Sequence, residues 1–267
     1  MTARPLVAAA LAAALLGAAV TGCAQSVDPI ERLGRKAAHA ARQAARTPPS
    51  RADDPHAYRR WGLPSRVPLA PPPSPRPPIR AAGPGLPPVV DRVPTHDKVV
   101  FLTYDDGAER DPRFVDLVRE LRLPVSMFLT DSVVGPGYAH FARLREVGAN
   151  VQNHTLDHQS LRGLPYAGQR AEICGQQDKL RERFGLRPRL FRPPYGTYDT
   201  TTLRAAADCG VSAVVRWTEG EHLRAGDILL VGPDDDLDGP PLVERTVRLL
   251  REVQEKGLSV GRLEDYL

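Results

Sequence analysis

Three short segments of this chain hold side chains that could act together: Asp105 and Asp106 in TYDDG, His154 and His158 in NHTLDH, and Arg192 to Gly196 in RPPYG. Two carboxylates, two imidazoles and a guanidinium are each costly near a domain's interior unless paired or bound to metal. Asp106, His154 and His158 make a His₂-carboxylate set with open coordination positions, the donor set of a hydrolytic metal site. The spacing of His154 and His158 predicts a shared face of one helical turn. In RPPYG the prolines fix φ and Gly196 permits close backbone approach, so Arg192 can orient a carboxylate and a backbone N–H near Tyr195 can donate to a developing oxyanion. Taken singly, each segment also has a plain structural reading: a strand-to-turn junction, a structural histidine pair and a tight turn.

The elements that must position these residues read as a β/α series. Val99 to Gly107 is a predicted buried strand ending in a turn, followed by a helix from Pro112 to Arg122 with apolar Phe114, Val115, Leu117, Val118 and Leu121. Strands are then expected at Val125 to Leu129, Asn150 to His154, Leu190 to Arg192, Val211 to Trp217, Asp227 to Val231 and Leu258 to Gly261. Helices are expected at Tyr138 to Val147, Tyr166 to Phe184, Thr200 to Cys209 and from Asp238 to Lys256. Such a series predicts a parallel sheet or barrel with right-handed crossovers, and the three segments fall at carboxyl ends of strands, where chemistry collects in these folds.

The N-terminal third reads differently. Arg4, an apolar Leu6 to Val20 run and Val20-Thr21-Gly22-Cys23 form an export signal resembling a bacterial lipobox, with Cys23 as the lipidated residue. The apolar run falls short of the roughly 20 residues that span a bilayer. This divides the chain into a signal peptide over 1–22, a lipidated N-terminus and Ala/Arg/Pro-rich linker over 23–96, and one domain over 97–267. A short helix is expected at Ile30 to Arg46, and Pro48 to Pro94 is expected to be a disordered, extended spacer without packed elements. The mature chain is thus expected outside the cytoplasm, held to the outer face of the cytoplasmic membrane as a lipoprotein.

Charge follows the same division: residues 24–95 carry 12 Lys+Arg against 5 Asp+Glu, and residues 96–267 carry 23 against 27. The basic excess lies in the low-complexity segment and not in a stripe on the folded part, which argues against nucleic acid as a partner. In an oxidising exterior, Cys174 and Cys209 read either as a disulfide or as two buried thiols. Asp234, Asp235, Asp236 and Asp238 lack calcium-loop spacing and are read as charge favouring a helix N-terminus.

Together, in this order and spacing, TYDDG, NHTLDH and RPPYG resemble the NodB-type polysaccharide deacetylases, carbohydrate esterase family 4, over roughly Lys98 to Leu267. The resemblance implies a distorted, incomplete (β/α) barrel and metal-dependent hydrolysis of N-acetyl groups on a sugar polymer. It implies Asp105 as general base, Asp106, His154 and His158 as ligands of a divalent metal, zinc being the expected ion, Arg192 as the partner of Asp105, and Tyr195 as the oxyanion N–H. The implied partner is an N-acetylated glycan such as peptidoglycan, and the chain is expected to be a monomer.

Two features depart from that pattern in the same half of the reaction. The family's last motif, a Leu-x-His whose histidine protonates the leaving amine, stands here as Leu230-Val231-Gly232, and the preceding Trp motif is reduced to Trp217-Thr-Glu-Gly-Glu. His222 or Glu221 in the shortened loop is the candidate replacement acid. Three alternatives follow: a degenerate homologue that binds metal and glycan without turnover, a non-haem iron oxygenase sharing the His₂-carboxylate set, and a purely structural wall protein.

Overall fold

Six consecutive buried residues, Val99 to Tyr104, begin strand β2 (Val99–Asp106), and a strand apolar on both faces belongs in the middle of a covered parallel sheet. A computed structural model, which describes residues 54–220, 222–232 and 239–267, places it there. β2 pairs with β3 (Val125–Leu129) on one side and with β7 (Ile228–Leu230) on the other, while its first two residues pair with β8 (Ser259–Val260). Beyond β3 lie β4 (Asn150–Asn153), β5 (Leu190–Phe191), β6 (Ala213–Val215) and β1 (Val89–Val90). Every ladder is parallel, so the carboxyl ends of the strands share one end of the sheet.

The result is the distorted, incomplete (β/α) barrel. Its sheet is open: near Arg92 and Asp227 its two ends share one antiparallel bridge and an ion pair instead of a strand ladder. No helix separates β6 from β7 among the described residues.

Local sequence accounts for the helices. Asp111 caps α2 (Pro112–Leu121) by accepting from Arg113 N, with Pro112 at the first helical position. Asp199 and Thr202 form a reciprocal capping box on α6 (Thr200–Asp208), and Gly185, at φ 68°, ends α5 (Tyr166–Phe184). α4 (Tyr138–Glu146) and α7 (Leu242–Glu255) complete the longer helices, with single-turn pieces α1 (Ala57–Arg60), α3 (Asp131–Val134) and α8 (Leu263–Tyr266). A disulfide, Cys174–Cys209, ties α5 to the end of α6 with Cα atoms 5.0 Å apart.

The spacer expectation does not hold for the described part of the proline-rich segment. From Asp54 onward the chain lies along the domain: Leu63, Val67, Val90 and Val93 are buried in its core, Trp61 Nε1 donates to Glu120 Oε2 (2.8 Å), and β1 adds a strand beside β6. Proline removes a donor but keeps its carbonyl, so an edge segment can accept without donating. Pro68 O accepts from Val260 N and Pro88 O from Val214 N, both at 2.8 Å, while the apolar residues between prolines fill the core. The described body therefore already includes some forty residues before the expected boundary at 97. The proposed signal peptide, Cys23, the Ile30 to Arg46 helix, Glu221 and the Asp234 to Asp238 cluster lie outside the described residues.

Candidate metal centre

Strand β2 delivers Asp105 and Asp106 to the carboxyl end of the sheet and then turns sharply. Asp106 sits at φ 65° and Gly107 at φ 84°. A Cβ on Gly107 would lie 2.7 Å from Val134 and 2.9 Å from Phe141, so only glycine lets the chain leave the strand under these side chains.

Asp105 faces inward onto Arg192, whose Nη1 is 2.6 Å from Asp105 Oδ1. Arg192 is fully buried, and all of its nitrogens are spoken for: Nη1 also donates to Thr103 Oγ1 (2.9 Å), Nη2 to Arg216 O (3.1 Å) and Nε to Val215 O (3.4 Å). Its guanidinium lies over the Phe128 ring at 4.2 Å. Burial pushes the Arg192 pKa down, and the Asp105 carboxylate beside it opposes that shift.

His154 and His158 are not on a helical turn. Both stand on an irregular loop after β4, with Thr155 at φ 72° and His158 at φ 56°. Asn153 builds this loop: its Oδ1 accepts from Thr155 N (2.9 Å) and its Nδ2 donates to Ile173 O (2.9 Å). Thr155 Oγ1 then accepts from His158 N (3.1 Å), and Glu172 Oε2 from Asp157 N (3.0 Å). Side chains thus satisfy backbone donors that a helix would have paired internally.

The His154 ring is fixed by chemistry as well as packing. Its Nδ1 is 2.7 Å from Arg192 O, and a carbonyl can only accept, so Nδ1 carries the proton of the neutral ring. Nε2 is left as a lone pair, 3.4 Å from Asp106 Oδ1, and His158 Nε2 is 3.2 Å from the same oxygen. Among the described residues Asp106 Oδ1 is buried without a hydrogen-bond partner, and the three ligand atoms lie within 4.8 Å of one another. Convergent lone pairs around an orphaned carboxylate oxygen fit a divalent cation. Burial raises the Asp106 pKa, but His154 and His158 outweigh it and hold the carboxyl below its usual range. Burial lowers the His158 pKa, which favours the neutral, ligating ring.

Tyr195 lies on the single turn that follows β5, at φ 58° and 63% exposed, with its ring 4.8 Å from that of His158. Gly196 N and Thr197 N close the turn onto Pro193 O and Pro194 O, and the Tyr195 N–H is outside those two bonds. A Cβ on Gly196 would come within 3.0 Å of Trp217, which explains the glycine.

The sequence candidates Asp105, Asp106, His154, His158, Arg192 and Tyr195 thus meet at one end of the sheet. His222 does not join them: it is exposed, and among the described residues it shares no hydrogen bond or ion pair with this group. Thr103 and Asn153 were legible only as ordinary strand residues; their sole sequence signal is a polar side chain inside an apolar strand or at its end.

Fold and site together place a candidate metal-ligand set of one aspartate and two histidines at the strand ends of an incomplete barrel. The polysaccharide deacetylase family model matches residues 92–214, and the chain belongs to that family. An uncharacterised protein of Streptomyces coelicolor is 64% identical over 195 residues, covering 68% of this chain and 78% of that one. The peptidoglycan-N-acetylglucosamine deacetylase of Bacillus cereus is 23% identical over 200 residues, covering 66% of this chain and 91% of its own. Among solved structures, a family 4 carbohydrate esterase pseudoenzyme of Bacillus anthracis superposes with a TM-score of 0.58 at 18% identity, covering 66% of this chain and 67% of that one, a likeness of fold.

Proposed function

We propose that the chain is a metal-dependent hydrolase that removes N-acetyl groups from an amino-sugar polymer of the cell wall, with peptidoglycan as substrate and zinc as the ion. The observation that carries this reading is the convergence of Asp106, His154 and His158 on one point, with Asp105 alongside, its Oδ2 3.8 Å from His154 Nε2.

Asp106, His154 and His158 would hold the cation, which when bound supplies Lewis acidity toward water and the acetyl oxygen. Asp105, oriented by Arg192, accepts the proton of the attacking water through Oδ2. Tyr195 N–H donates to the acetyl oxygen as negative charge gathers there. The departing sugar amine then needs a proton, and the chain has no side chain at Gly232 to give one. Proton return through Asp105 or solvent closes the cycle, at a rate lower by the roughly 10²- to 10⁴-fold that a positioned acid contributes.

Gly232 together with the exposed His222 also favours a second reading, a homologue that binds metal and glycan without turnover. Acetate release from N-acetylated glycan oligomers decides between them. Zinc-dependent release that Asp105→Asn abolishes supports the hydrolase; metal binding without release supports the second reading. At the envelope, we propose that acyl chains on Cys23 hold the monomeric protein at the outer face of the cytoplasmic membrane, which radiolabelled fatty acid and Cys23→Ala would test.

A further inference from the structure

At the opposite end of the sheet, where strands β4, β5 and β6 begin, lies a cavity of about 450 Å³. Its floor is the start of β4, Asn150 to Gln152, and its wall carries five arginines from four separate stretches of chain: Arg76, Arg145, Arg187, Arg189 and Arg262. Glu264 is the one carboxylate side chain lining it.

That carboxylate is already occupied. Glu264 Oε1 accepts from Ser126 Oγ (2.7 Å) and Gln152 Nε2 (2.9 Å), and Oε2 from Asn150 Nδ2 (2.9 Å). Gln152 is fixed from its other end, since its Oε1 accepts from Leu190 N (3.1 Å). Glu264 therefore braces the floor and forms no ion pair with the arginines. Among the described residues only Arg187 has an aspartate or glutamate partner, Asp178, at 3.1 Å. Arg145 donates to Phe184 O, Arg189 to Ser212 Oγ and Arg262 to Gly148 O, all neutral oxygens that leave most of each guanidinium's five N–H donors unused. Arg76 donates to a main-chain oxygen of Leu267 (3.2 Å), which belongs to the carboxylate of the last residue, so Arg145, Arg189 and Arg262 are the lining arginines without an acidic partner among the described residues.

Like charges gathered around a concave surface repel one another, and an anion in their midst removes that cost. Guanidinium forks match the oxygens of phosphate, and the volume falls in the range of small-ligand sites. We propose that this cavity is a second binding site, for a phosphate ester of sugar size, at the end of the barrel away from the metal ligands. It does not depend on the proposed deacetylation, because no residue is shared between the two sites.

Titration calorimetry of the full chain with glycerol phosphate and with inorganic phosphate, in the presence of a chelator, tests it. The expected result is saturable binding of one ligand per chain that weakens with added salt. Arg189→Ala combined with Arg262→Ala should weaken it by about tenfold or more, as loss of charge-assisted bonds does. Arg189→Lys with Arg262→Lys, which keeps charge and fold, should weaken it less, and Arg204→Ala, outside the cavity, should leave it unchanged. Absence of saturable binding, loss of binding on chelation, or indifference to both arginine pairs overturns the proposal. So does binding seen only with phosphatidylglycerol vesicles, which would mark a basic surface and not a cavity. A preference for glycerol phosphate over the inorganic ion supports an esterified ligand, and the reverse preference overturns that part.

Discussion

Arg192 and Asp105 illustrate how single residues carry the site: the arginine is wholly buried, and its charge is tolerable because one carboxylate, one hydroxyl and two carbonyls surround it. Arg192→Met should destabilise the fold by about 3–5 kcal/mol, because it leaves Asp105 poorly compensated; denaturant unfolding measures this. His154→Ala or Asp106→Asn should reduce bound metal from about one per chain to a small fraction by elemental analysis after dialysis. For the native protein, metal affinity should fall with pH as protons compete for the two imidazoles. The burial-lowered pKa of His158 carries the binding plateau to lower pH than a free imidazole, ordinary value 6.5, would allow. Gly232 supplies the sharpest residue-scale test. Among the described residues a Cβ there meets only Leu230 Cγ, at 3.7 Å, so Gly232→His can be accommodated and should raise acetate release by about 10²-fold or more if leaving-group protonation limits turnover.

At the scale of elements, helix α4 holds an unusual buried group. His140 is 5% exposed, and neither ring nitrogen has a hydrogen-bond partner among the described residues. Burial, followed by Arg143 and Arg110, pushes its pKa down to about 4, with Asp111 opposing. The folded state thus resists protonation that the unfolded chain accepts below its ordinary pKa of 6.5, so the stability this residue's neutrality contributes is intact above pH 6.5 and is lost as pH falls toward 4. The loss is at most on the order of 3 kcal/mol. Replacing His140 with Leu should flatten unfolding free energy against pH across that window. The α5–α6 disulfide closes a loop of sequence separation 35. Cys174→Ser with Cys209→Ser should cost about 3–4 kcal/mol on the loop-entropy estimate, and reducing agent should lower the unfolding temperature of the native chain but not of the double variant.

For the whole molecule, the described part of the proline-rich segment, from Asp54 onward, is part of the body. It supplies a strand to one edge of the sheet and buried residues to the core, and it places Arg76 at the cavity of the far end. A chain beginning at Asp97 would expose β6 as a bare edge and uncover the core beside Val90 and Val93. It should therefore aggregate or unfold at lower denaturant than one beginning near Asp54, which size-exclusion chromatography and urea titration will show.

Much of this protein was legible without coordinates. Alternating strand and helix signals gave the β/α series, with Val125 to Leu129 and Tyr166 to Phe184 matching the observed bounds, because a short apolar run and a helix bracketed by Pro165 and Gly185 are local signals. The residue types of the metal-ligand set were equally plain, since few other arrangements justify Asp, Asp, His and His at strand ends. Tertiary structure alone decided the rest. Loop geometry around Asn153 and Thr155, and not a helical turn, brings His154 and His158 to one oxygen. The proline-rich segment reads as spacer because it makes no repeating hydrogen bonds of its own, and its order comes from carbonyls and apolar side chains meeting partners more than a hundred residues away. The arginines of the far cavity stand on separate segments, so only the closing of the sheet's curvature makes them neighbours.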